Sequence, residues 1–69
     1  MGIAFTPDGQ RLAVAYSDGA VRLWDPRAGR EVLTLADRGT IVNHLAFTVD
    51  GSRLVGFADK SFLVWKVAP

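Results

Sequence analysis

The chain has no cysteine, and it has one histidine, one methionine and one tyrosine among its 69 residues. Without cysteine no disulfide can form, and a single histidine cannot complete a zinc-binding set. Neither a metal nor any other cofactor is expected. The lack of cysteine fits a cytoplasmic location. Charge of one sign is also lacking, with eight Lys and Arg against seven Asp and Glu. No net field therefore draws the chain to nucleic acid or to a membrane surface. The basic residues are scattered, with no basic stripe carrying interleaved aromatics. No apolar run approaches the roughly 20 residues of a membrane-spanning helix. The opening MGIAFTPDG has no charged segment ahead of a long apolar one, so no secretory signal is readable.

Catalytic constellations are missing too. His44 stands between Asn43 and Leu45, with no nucleophile and orienting acid at recognisable spacing. It reads as a strand histidine, and the chain is not expected to be an enzyme. Asp8-Gly9 and Asp50-Gly51 lack the alternating oxygen ligands of a calcium loop and read as plain turns.

What is present is a repeat. Hydrophobic residues make up 49% of the chain, which excludes a disordered segment. AFTPDGQRLAV starts at Ala4 and AFTVDGSRLVG starts at Ala46, an offset of 42 residues. Asp18 and Asp59, like Trp24 and Trp65, are 41 apart, so the second copy is one residue shorter before its last segment. No stretch of ten residues holds an apolar period of 3.6. Short segments alternate instead with turn signals: GIAF, RLAVAY, AVRLW, EVLTLA, IVNHLAF, RLVGFA and FLVWKV. They predict seven antiparallel strands. LAVAY, LVGFA and FLVW are apolar at consecutive positions, so each sheet needs cover on both faces.

The stretches AFTPDGQRLAVAYSDGAVRLWD at 4–25 and VNHLAFTVDGSRLVGFADKSFLVWK at 42–66 resemble the WD-repeat β-propeller family. The resemblance covers nearly the whole chain. It implies an all-β fold of two antiparallel propeller-type blades. The first takes residues 1–37 with four strands, the second residues 38–69 with three, its outer strand lacking. The ending SFLVWKVAP resembles the close of a family member. The expectation is the C-terminal end of a longer propeller, or an engineered derivative of one. A small self-sufficient β-sandwich is the other reading. Two blades leave two apolar faces open, so self-association or further blades are expected.

In the family, an Asp in the second turn, a His in the loop between blades, a Ser or Thr on the second strand and a Trp on the third pin each blade. Asp18 with Trp24, and Asp59 with Trp65, fill two of these four places as structural pins. The hydroxyl place falls on Val14 and Gly56, and the Gly-His pair falls on Asp37-Arg38. Pairing of Asp59 with Arg38 is an expected substitute. The family's partner-binding rim maps to Tyr16–Gly19, Asp37–Thr40 and Ala58–Ser61, with Tyr16, Asp37, Arg38 and Lys60 as candidate contacts. The resemblance implies a protein-interaction or scaffold module with a protein or peptide partner. The alternative is a purely structural role, blades that close a ring and bind nothing themselves.

Overall fold

In the computed structural model, residues 2–37 and 39–67 are described. They form seven strands and no helix: β1 (Ile3–Phe5), β2 (Leu12–Ala15), β3 (Val21–Asp25), β4 (Arg30–Ala36), β5 (His44–Phe47), β6 (Arg53–Phe57) and β7 (Phe62–Lys66). Within each sheet consecutive strands pair antiparallel, giving a four-stranded sheet β1-β2-β3-β4 and a three-stranded sheet β5-β6-β7. The expected all-β fold of two antiparallel blade-like sheets is what the chain adopts.

The first turn of each sheet is built the same way. In the first, the Thr6 hydroxyl donates to the Asp8 carboxylate (2.6 Å) and accepts the Arg11 N–H (3.0 Å), while Asp8 also accepts the Gln10 N–H (2.9 Å). In the second, Thr48 donates to Asp50 (2.8 Å) and accepts the Arg53 N–H (3.1 Å), while Asp50 takes both the N–H and the hydroxyl of Ser52 (3.0 and 2.8 Å). Gly9 and Gly51 follow at φ of +73° and +74°, a left-handed step that other residues resist. This shared wiring is the structural counterpart of the T-x-D-G-x-R motif.

The core lies between the sheets. Alternate strand residues share a face, and Ala13, Ala15, Val21 and Leu23 of the first sheet are buried against Val42 and Leu54. Leu45, Phe47 and Trp65 of the second sheet pack onto the same cluster. A lane of small side chains on β2 thus receives large ones from the second sheet. Gly56 leaves room for the Trp65 ring: a Cβ there would stand 3.0 Å from both Trp65 Cζ3 and Val42 Cγ1. β5 pairing begins at His44, later than the IVNHLAF segment suggests, because Val42 turns into the core ahead of the ladder. β4 carries irregularities opposite Val21/Arg22 and Leu23/Trp24. Such bulges twist an edge strand away from strand addition.

Candidate functional site

Two kinds of surface are candidates: the loop rim and the outward sheet faces. At the rim, the Tyr16–Ala20 turn is closed by Gly19 N–H to Tyr16 C=O (3.0 Å) and Tyr16 N–H to Ala20 C=O (2.8 Å). Inside it the Asp18 carboxylate accepts the Ala20 N–H (3.0 Å). The Asp18 carbonyl accepts the Gly39 N–H (3.4 Å), tying this turn to the segment between the sheets. Gly19 makes the approach possible: at φ +92°, a Cβ on it would lie 2.4 Å from the Gly39 carbonyl oxygen. Asp37 is exposed beside this junction. In the second sheet Asp59 and Lys60 are exposed in the turn that Ala58 N–H closes onto Ser61 C=O (2.9 Å). Arg38, a rim candidate and the expected partner of Asp59, lies outside the described residues.

Tyr16 is engaged from within. Its hydroxyl accepts the Trp24 indole N–H (3.1 Å), and the Arg22 guanidinium sits 5.5 Å from its ring centroid. Arg22 also donates to Glu31 (3.2 Å), which in turn accepts the Thr34 hydroxyl. The indole N–H of Trp24 therefore goes to a tyrosine, whereas the family pattern supplies a strand hydroxyl at the place held by Val14. Tyr16 and Trp24 are expected as a rim candidate and a blade pin, but Arg22, Glu31 and the linkage among the four are not. The group's one sequence signal is Arg22, a charge at an outward position where the second copy has Leu63.

The outward faces are apolar. On the first sheet Ile3 and Phe5 are exposed, with Leu12, Val14 and Trp24 half-buried beside them. On the second, Phe57, Phe62 and Val64 are exposed. Phe57 and Phe62 stand opposite each other in the ladder, as do Val55 and Val64. Trp65 points the other way, into the core. His44, at the first position of β5, is exposed. Among the described residues no group of three or more acidic, His or Cys side chains is placed to hold a metal.

The acids with displaced titration are those of the turns. Asp50 is held down to about 2 by the Ser52 N–H, the Thr48 hydroxyl and the Ser52 hydroxyl. Asp8 is lowered by the Thr6 hydroxyl and then the Gln10 N–H. Asp25 is lowered by the N–H groups of Ala28 and Arg27. Hydrogen bonds to the charged form favour it, so these carboxylates act as turn staples.

A family model described as the anaphase-promoting complex subunit 4 WD40 domain matches residues 1–50. The chain belongs to the WD-repeat family. It is 36% identical over 55 residues to an uncharacterised WD-repeat protein of Synechocystis sp., a match covering 78% of this chain and 16% of that protein. It is 35% identical over 63 residues to WD repeat and SOCS box-containing protein 1 of Homo sapiens, covering 88% of this chain and 15% of the relative. Against the small ribosomal subunit protein RACK1 of Medicago sativa the identity is 32% over 63 residues, covering 91% and 19%. The chain thus spans less than a fifth of the length of these relatives.

Proposed function

We propose that this WD-repeat chain is a non-catalytic protein-interaction and scaffold module, two blades of a larger or oligomeric propeller, with the blades taken as residues 1–37 and 38–69. The observation that carries the reading is the pair of open apolar sheet faces, Ile3/Phe5 on one side and Phe57/Phe62/Val64 on the other. Surfaces of that kind mark protein contact rather than catalysis. Among the relatives, one is named for a SOCS box and one as a small ribosomal subunit protein, which supports a role in assemblies. The proposed partner is a protein or peptide, met at the rim by Tyr16, Asp37, Arg38 and Lys60; nucleic acid and membrane are not proposed partners. Asp18, Trp24, Asp59 and Trp65 are proposed as pins of the two blades. The proposed location is the cytoplasm, in keeping with a chain that has no thiol.

A purely structural, ring-closing role is the second reading. It is favoured by Tyr16, whose hydroxyl and ring are already used by Trp24 and Arg22. Affinity capture with the parent chain and an Asp37→Ala/Lys60→Ala variant separates the two. A protein retained by the parent and lost by the variant, with an unchanged melting temperature, supports rim recognition. Capture indifferent to both changes supports the structural role. Saturable turnover of any substrate, abolished by His44→Ala in a folded chain, would contradict the non-catalytic reading.

A further inference from the structure

The two open faces are not alike, and the repeat says what each was shaped to meet. Ile3, Phe5, Leu12, Val14, Arg22 and Trp24 point outward from the first sheet. One repeat later the same places hold Leu45, Phe47, Leu54, Gly56, Leu63 and Trp65, the face by which the second sheet covers the first. Conversely, the buried places Ala13, Ala15, Val21 and Leu23 become Val55, Phe57, Phe62 and Val64, the open face of the second sheet. The one sheet contact inside the chain therefore joins two face types, and each type also occurs uncovered, at opposite ends of the molecule.

Charge follows the same logic. Arg11 and Asp25 form an ion pair (3.7 Å) at the edge of the buried contact. Arg11 lines a groove there with Asp50 and Gly51 of the second sheet's turn. At the corresponding places on the open face stand Arg53 and Lys66, directly opposite each other in the ladder. Like charges so placed repel. The groove partner Asp50 corresponds to Asp8, an exposed carboxylate in the first sheet's turn that lines the same groove. Repeating the internal contact between molecules brings the Asp8 turn of one copy to the cationic pair of the next. The turn tips agree. Pro7 Cδ lies 3.5 Å from where a Cβ on Gly51 would be. The corresponding residues are Val49, 96% exposed, and Gly9, with nothing near it.

We propose that the two open faces dock a second copy of this chain head to tail, the Phe57/Phe62/Val64 face of one molecule covering the Ile3/Phe5/Trp24 face of the next. Such a contact is heterologous and closes into a ring if the rotation permits. With two blades per chain and about four to eight blades per ring, closure takes two to four copies. A two-fold pairing of like faces is disfavoured on the second sheet, where it would set Arg53 and Lys66 against themselves. This docking rests on the proposed reading of the chain as blades of an oligomeric propeller and deepens it; rim recognition uses other residues and can hold or fail separately.

The test blocks each face separately. Phe5→Glu and Val64→Glu are both at positions more than half exposed, 56% and 52%, and circular dichroism checks that each variant keeps its strands. Sedimentation across a concentration series should give assemblies for the parent chain and monomers for each variant alone. An equal mixture of the two variants should give a dimer, because one intact face of each kind remains. Dimers of Phe5→Glu alone or Val64→Glu alone would establish like-face pairing and overturn the proposal, as would a parent chain that stays monomeric. Because the chain has no cysteine, a second arm is direct. A mixture of Val49→Cys and Gln10→Cys chains should form chiefly the mixed disulfide under mild oxidation. Disulfides between identical chains, or none, would contradict head-to-tail docking.

Discussion

Val21 and Leu23 in β3 and Phe62 and Val64 in β7 hold the same places in two copies of one repeat. The first pair is 0% and 4% exposed, the second 66% and 52%. Composition cannot account for this, since the exposed pair is at least as apolar. The neighbour accounts for it: the second sheet covers one face of the first, while among the described residues nothing covers the far face of the second. β3 is also flanked by β2 and β4, whereas β7 pairs with β6 alone. In a repeat protein, burial belongs to the stack and only secondarily to the residue.

That contrast can be broken most forcefully at Leu54 and Leu12, again equivalent places. Leu54 is fully buried between the sheets and Leu12 is half-buried on an open face. Leu54→Ala should cost about 2–5 kcal/mol from lost burial and the cavity left behind. Leu12→Ala should cost under about 2 kcal/mol, a fraction of full side-chain burial. Denaturant midpoints of the two variants, at concentrations where the chain is monomeric, give the comparison. Next comes Gly56, whose equivalent is Val14. Gly56→Val drives methyl groups into Trp65 and Val42 and should destabilise by about 1–3 kcal/mol. Val14 meets no such demand on its open face, and Val14→Ile should leave the midpoint nearly in place. Gly19→Ala tests the joint between the sheets. The left-handed backbone alone costs about 1–2 kcal/mol, and the Gly39 segment must also move, so amide shifts at Gly39 and Thr40 should accompany the loss.

The smallest contrast lies in the matching turns. Asp8 and Asp50 both titrate below the ordinary 3.8, Asp50 at about 2. A carboxyl depressed on folding stabilises the fold above its unfolded value, and that contribution fades as pH falls through the folded one. The melting temperature should therefore drop as pH goes from 3.8 toward 2. Asp50→Asn should flatten this dependence more than Asp8→Asn, because Asp50 has the Ser52 hydroxyl in addition.

Seven strands, their antiparallel order and the two-sheet division were legible because Asp-Gly turns punctuate short apolar segments and the unit recurs after about 42 residues. The open faces were legible from strands apolar at consecutive positions. The Tyr16–Trp24–Arg22–Glu31 group was not, because β4 bulges twice against β3, and those shifts place Glu31 opposite Trp24 and Thr34 opposite Arg22. Linear spacing carries no record of a bulge. Carboxylate staples were sought at Asp18 and Asp59 through the family pattern. The fullest wiring lies at Asp8 and Asp50, where a threonine two residues upstream supplies a hydroxyl. That signal is present in T-P-D-G and T-V-D-G, and it reads as a turn until the hydrogen bonds are seen.

The central claim is that equivalent places differ chiefly because one sheet face is covered and the other is open. Single cysteines report this directly in a chain that has none of its own. Leu23→Cys and Val64→Cys, one repeat apart, would be compared by thiol-labelling rate in dilute native protein. Val64→Cys should label as fast as in denaturant, and Leu23→Cys at least about tenfold more slowly, since labelling there waits on an opening of the core. Equal rates at the two positions in the folded monomer would contradict the account.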